Sequence, residues 1–262
     1  MPSTGVFLAR LKATFGLSIV RVCAQPGPGV VRGIGTGLLF RLAGVSFLVT
    51  ADHVFGDAGT QQLLCFREGN NKLASKGGEV LFTREPVLDV AVLKLDEISV
   101  KRLSDSDFRT QLDITTGPPQ ASDTFCIYGY PIDPDYSSTR LTAWKSIPLI
   151  CLVRLATVSS PLSNHSSTSN LLFEIDLNEV TDASGREGRL PDSLGGISGG
   201  PIFRFSNTGD VSIVAVETST FRSANKLQIK ATPWSFVLGL VDQHLGGIAP
   251  ATKLALPPQS LI

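Results

Sequence analysis

The stretch Gly196-Ile197-Ser198-Gly199-Gly200-Pro201, running straight into Ile202-Phe203-Arg204-Phe205, decides how the rest of this chain is read. Glycines on both sides of a serine make a tight turn in which no side chain crowds the backbone N–H groups. The proline and alternating apolar run that follow call for a strand rather than a helix. Far upstream stands Thr50-Ala51-Asp52-His53, after the apolar run Phe47-Leu48-Val49, and between the two lies Leu88-Asp89-Val90-Ala91-Val92-Leu93. The order along the chain is therefore histidine, aspartate, serine. A serine hydroxyl is a weak nucleophile near neutral pH. It needs an imidazole to take its proton, a carboxylate to fix the imidazole tautomer, and N–H donors for the developing oxyanion. All of these parts are on hand, and together they point to acyl transfer.

Working outward, the composition fits that reading. The chain has 262 residues, 42% of them hydrophobic and 18% charged, enough for one large β-rich unit or two small barrels. Its net charge is zero, which argues against a nucleic-acid partner or an anionic membrane surface, since both favour a basic face. Met1 to Arg10 shows no basic segment followed by an apolar run and a small-residue cleavage site, and no apolar run approaches the ~20 residues that span a bilayer. The expectation is a cytoplasmic protein without a membrane partner. Cys23, Cys65, Cys126 and Cys151 lie far apart in apolar segments without zinc-ligand spacing, so they read as reduced core thiols.

Short apolar or alternating runs bounded by Gly, Pro, Asn, Asp and Ser recur along the chain. The first set covers Leu17 to Ala24, Gly37 to Leu42, Val45 to Thr50, Leu63 to Arg67, Glu79 to Thr83 and Val87 to Leu95. The second covers Thr124 to Tyr128, Ile147 to Val158, Leu171 to Leu177, Ile202 to Phe205, Val211 to Val216 and Lys226 to Ala231. Leu103 to Ser122, with Gly117-Pro118-Pro119, separates the sets and reads as a crossover. The expected division is residues 1–110 carrying His53 and Asp89, and residues 111–262 carrying Ser198. A helix is expected over about 233–245, with Thr232 as its N-cap, Pro233 in its first position and Gly246-Gly247 as its stop.

Each candidate has a plainer reading beside it. Of the three histidines, His165 sits in a polar loop and His244 near the end of the expected helix; only His53 directly follows an apolar strand. Alone it would be a structural histidine, and the other two signals reverse that. Asp89 enters an apolar strand, where a carboxylate is costly unless it finds donors; it is either a solvent-facing strand start or the partner of an imidazole. Ser198 is either incidental to a Gly-rich loop or the nucleophile, with the N–H groups of Gly196 and Ser198 as the oxyanion donors and Ile197 presenting its own N–H to the same turn. Gly196 to Gly200 also fits a Gly-x-Ser-x-Gly elbow, but that motif needs a helix after the serine and Pro201 opens a strand. Gly33-Ile34-Gly35-Thr36-Gly37 likewise continues as strand, which argues against a dinucleotide loop.

These boxes resemble the trypsin-like, chymotrypsin-fold serine peptidases, most closely bacterial forms of the HtrA-core type, here without a PDZ module. Gly35-Thr36-Gly37-Leu38-Leu39-Phe40, Thr50-Ala51-Asp52-His53-Val54, Asp89-Val90-Ala91-Val92-Leu93 and Gly196 to Pro201 carry the likeness in order, and Tyr128-Gly129-Tyr130-Pro131 is similar to a turn common in the bacterial members. The resemblance implies an all-β fold of two six-stranded β-barrels plus the C-terminal helix, with the site in the cleft between them. It implies a serine endopeptidase acting on protein or peptide substrates through His53, Asp89 and Ser198, with no metal or organic cofactor. Ile197 replaces the aspartate that anchors the new N-terminus in the secreted digestive enzymes, so something else must hold the oxyanion loop. Two residues are substrate-binding candidates. Asp192 reads either as the base of a pocket favouring Arg or Lys before the scissile bond or as an exposed loop carboxylate, and Glu217 could line that pocket.

Overall fold

The computed structural model of the chain describes residues 4–28, 30–58, 62–66, 72–75, 80–82, 88–95, 97–101, 103–120, 122–132, 148–156, 169–178, 190–191, 194–206 and 209–244. The first half contains helix α1 (Thr4–Phe15), strands β1 (Ile19–Gly27), β2 (Val30–Leu42) and β3 (Val45–Ala51), and the short helix α2 (Asp52–Ala58). Strands β4 (Gln62–Phe66), β5 (Lys72–Ser75), β6 (Val80–Phe82) and β7 (Val90–Lys94) and helix α3 (Glu97–Val100) complete it. The second half contains β8 (Thr124–Gly129), β9 (Leu149–Leu155), β10 (Leu171–Asp176), β11 (Pro201–Phe205), β12 (Val211–Arg222), β13 (Lys226–Pro233) and helix α4 (Trp234–His244). Every strand expected from alternation is present, most of them within a few residues of the expected bounds.

Strands β8 to β13 close a six-stranded antiparallel barrel in the order β10-β13-β12-β11-β8-β9. The first half differs in detail from the six-stranded barrel expected. It forms a seven-stranded antiparallel sheet, β5-β4-β1-β2-β3-β7-β6, whose ladder does not close among the described residues, with β5 and β6 at its edges. A register shift between Val22 and Cys23 lets the long β2 bend. The crossover follows both halves as two short turns, with Asp107 accepting from the Ser104 N–H at 2.8 Å and Asp113 from the Thr110 N–H at 2.7 Å. Isolated parallel bridges then pair Arg109 with Phe40 of the sheet and Ile114 with Ile213 of the barrel.

One hydrophobic cluster crosses the junction. Phe40, Phe47 and Val90 of the sheet pack with Phe203, Ile213 and Trp234 of the barrel side, and the rings of Phe40 and Trp234 meet edge-on at 5.6 Å. Helix α1 buries Leu11 and Phe15 in the same cluster, with Phe15 against Phe203 at 4.7 Å between centroids. The C-terminal helix begins at Trp234, not at Pro233, and Thr232 is not its cap. Thr232 remains in β13, paired with Val216, and its hydroxyl donates to the carbonyl of Leu88, beside Asp89. The thiols of Cys23, Cys65 and Cys126 are buried and that of Cys151 is half-buried; all four are free, and burial pushes Cys65 up to about 12 and Cys151 up to about 11. No helix among the described residues is long and apolar enough to cross a membrane.

Candidate active site

Strand register brings His53 and Asp89 together although 36 residues separate them. In the β3–β7 ladder Ala51 pairs with Val90, so the residues just past the end of β3 meet those just before the start of β7. The Asp52 N–H donates to the Asp89 carbonyl at 3.1 Å, extending the ladder by one step. The Asp89 carboxylate then receives two donors from one residue. Its Oδ1 accepts the His53 backbone N–H at 3.0 Å, one of the free N–H groups at the start of α2, and its Oδ2 lies 2.8 Å from His53 Nδ1. Those donors are what an aspartate at the mouth of an apolar strand requires. Asp89 has φ +46°, in the left-handed region that Asp tolerates better than most residues, and the Thr232–Leu88 bond fixes the turn from the barrel side.

The Nδ1 contact sets the tautomer: Nδ1 carries the proton toward Asp89, and Nε2 is left as the acceptor. The hydrogen bond to Asp89 raises His53 above its ordinary value, with partial burial opposing it and the charges of Asp89, Glu217 and Asp57 adding to it.

Ser198 comes from the turn joining Leu194 to β11. The Ile197 N–H donates to the Leu194 carbonyl at 3.2 Å and the Gly200 N–H to the Ile197 carbonyl at 2.8 Å. The N–H of Ile197 is therefore used inside the turn. The N–H groups of Gly196 and Ser198 have no hydrogen-bond partner among the described residues. The Gly195 carbonyl accepts from the Ile132 N–H, and in a trans peptide the Gly196 N–H then points the opposite way. Gly196 has φ +89°, and a Cβ there would strike Ile132 and the Tyr130 carbonyl; Gly199, also at φ +89°, is pressed against the Thr36 carbonyl and the Thr50 side chain. Ile197 is 1% exposed, its side chain packed into the barrel-side core.

Thr36 is the residue that holds this loop, and the sequence reading did not single it out. Its N–H donates to the Ser198 carbonyl at 2.8 Å, and its hydroxyl donates to the Gly196 carbonyl at 2.7 Å while accepting the Tyr130 N–H at 2.8 Å. Its own carbonyl accepts from the Thr50 hydroxyl at 2.5 Å, three residues before His53. One buried threonine of β2 thus joins the histidine strand, the serine loop and the barrel. Beside it Gly35 fits between the Val54 side chain and the Ser198 carbonyl, so the residue after His53 and the nucleophile candidate lie on opposite sides of a single glycine.

Of the two pocket candidates, Asp192 lies outside the described residues. Glu217 lies on β12 beside the serine loop. It is 0% exposed, just past the last β11–β12 pair, Pro201 with Val216. The Gly199 N–H donates to the Glu217 carbonyl and the Glu217 N–H to the Gly200 carbonyl, each at 2.8 Å, which seats the side chain against Ser198. Its carboxyl interacts with the Ser198 side chain and stands within electrostatic reach of His53, Asp89 and Lys230. Neither oxygen has a well-aligned hydrogen-bond partner among the described residues. Burial pushes Glu217 up to about 8, with Asp89 adding to the rise and His53, Ser198 and Lys230 opposing it.

No family model matches the chain, and no curated protein sequence matches it. Among solved structures, the chain is similar to Rv3671c from M. tuberculosis H37Rv, a serine-to-alanine mutant in an inactive form. The TM-score is 0.50 at 15% identity, over 93% of this chain and 95% of that one. It is similar also to AL20, a thermostable serine protease from an extremophilic microorganism, with TM-score 0.50 at 14% identity, over 87% of this chain and 97% of that one. At such identities the likeness is one of architecture, and the chain has the chymotrypsin-like fold.

Proposed function

We propose that the chain is a serine endopeptidase. Ser198 Oγ attacks the scissile carbonyl as His53 Nε2 takes its proton; Asp89 keeps Nδ1–H in place and stabilises the imidazolium. The N–H groups of Gly196 and Ser198 receive the oxyanion. Collapse of the tetrahedral intermediate breaks the C–N bond, His53 gives its proton to the leaving amine, and water then releases the acyl group by the same steps in reverse. The observation that carries this reading is the Asp89 carboxylate bonded to both the backbone and the Nδ1 of His53, which leaves Nε2 as a base in the same site as a serine loop whose Gly196 and Ser198 N–H groups have no partner among the described residues. The alternative is a protease-like binding module with a collapsed oxyanion loop; against it stands the Gly195 carbonyl engaged by the Ile132 N–H. Asp192 supplies the sequence argument for a preference for Arg or Lys before the scissile bond.

A fluorophosphonate probe tests the assignment. It is expected to label Ser198, to lose all labelling in Ser198→Ala and most of it in His53→Ala. Labelling that survives Ser198→Ala would reject the proposal, and a peptide-ester panel reads whether basic residues are favoured.

A further inference from the structure

Three carboxyl or imidazole groups converge near Ser198, and the mechanism just given uses only two of them. Glu217 is left over. It is wholly buried, its oxygens lack an aligned partner among the described residues, and its place on β12 is fixed by the paired bonds to Gly199 and Gly200. A buried carboxyl in that position has two chemically distinct forms. As a neutral acid it is a donor through its O–H; as a carboxylate it is an acceptor only. The groups facing it are the Ser198 hydroxyl from the serine loop, His53 from α2, Asp89 from the turn before β7 and Lys230 from β13.

We infer that Glu217 is a positioning residue that acts in its protonated form, donating its O–H to Ser198 Oγ so that the serine's own proton is directed to His53. An Oγ that accepts from one side presents its hydrogen on the other, the geometry that proton transfer to Nε2 needs. During attack Glu217 keeps its proton: the Ser198 proton moves to His53 as the Oγ–C bond forms. Once ionised, Glu217 reverses the bond. The carboxylate accepts the Ser198 O–H, draws that proton away from His53, and places a second negative charge beside Asp89. The arrangement is consistent with burial holding the acid neutral up to about pH 8. The role rests on the serine endopeptidase reading above, but the protonation of Glu217 can be measured without it.

The test is kcat/KM for a peptide ester from pH 5 to 10 in the unaltered chain, Glu217→Gln and Glu217→Ala. The unaltered chain is expected to rise as His53 loses its proton and to fall again above about pH 8. Glutamine donates through its amide and cannot ionise, so Glu217→Gln is expected to lose the alkaline fall while staying within about tenfold of the unaltered activity at pH 7. Glu217→Ala, which offers no donor, is expected to lose about 10²-fold or more. An alkaline fall that persists in Glu217→Gln would overturn the inference. So would equal activity in the Gln and Ala variants.

A second measurement needs no turnover. Glu217 is raised in the folded chain, so the unfolded chain loses this proton first. The unaltered protein is therefore expected to lose thermal stability relative to Glu217→Gln as pH rises from about 4.5 to about 8, with no further divergence above it. Parallel melting curves across that range would overturn the protonated state. If Glu217→Gln does not fold, 13C-carboxyl labelling of glutamate in the unaltered chain reads the same titration; every glutamate titrating below about pH 6 would overturn the inference. Absence of fluorophosphonate labelling at every pH would instead overturn the hydrolase reading, and the melting difference tells the two failures apart.

Discussion

Replacing Thr36 by valine removes one hydroxyl and leaves the side-chain volume nearly unchanged, so its effect isolates two hydrogen bonds. The Gly196 carbonyl loses its donor and the Tyr130 N–H loses its acceptor. Thr36 and Tyr130 are both 0% exposed and Gly196 is buried, so water does not readily replace either partner. A buried backbone group left unsatisfied costs about 1–3 kcal/mol, which for the pair gives roughly 2–6 kcal/mol. In a chain of this size ~1 kcal/mol moves Tm by roughly 2–4 °C, so a fall of about 5 °C or more is expected. The catalytic effect should be larger. With the Gly196 carbonyl released, the peptide between the two proposed oxyanion donors is held only through the Ile197 N–H, and loss of one such donor costs about 10²–10³ in kcat. Differential scanning fluorimetry and ester turnover read the two quantities, and Thr36→Ser, which restores the hydroxyl, should recover most of both. Thr36→Val with Tm within about 1 °C and kcat within about twofold of the unaltered chain would refute the view that this hydroxyl pins the loop.

Two further outcomes are expected. Asp89→Asn keeps the size of the side chain and its tolerance of φ +46°, but its amide no longer favours a proton on His53 Nδ1; kcat should fall by about 10³–10⁴ with little change in KM, and a fall below about tenfold would refute the orienting role. Phe15→Ala empties the seat against Phe203 and should destabilise the chain by about 3–5 kcal/mol in urea unfolding; a loss under about 1 kcal/mol would mean that α1 does not belong to the core.

How much of this was legible beforehand depends on the scale of the signal. Strands announce themselves through alternation, and all twelve expected runs became strands because apolar residues at that period fit only a half-buried ladder. His53, Asp89 and the glycine turn were legible as short motifs, since each needs particular residue types at fixed spacing. What could not be read was whatever register decides. Glu217 read as a candidate for lining a substrate pocket, and only its pairing with Gly199 and Gly200 seats it beside the serine. A charge inside the apolar run Ile213 to Thr218 was the available clue. Thr232 followed by Pro233 carries a helix-start signature, yet β13 persists through both because its ladder with β12 satisfies more backbone groups than a cap would. Helix α1 had its own signal, Leu8, Leu11 and Phe15 at helical spacing ahead of Gly16.

The shared aromatic cluster at the junction of sheet and barrel has a mechanical consequence. Prising the halves apart would bare Phe40, Phe47, Phe203 and Trp234 at once, so the molecule cannot open like a hinged jaw around a polypeptide. On the proposed reading, a scissile segment would lie across this seam without parting it.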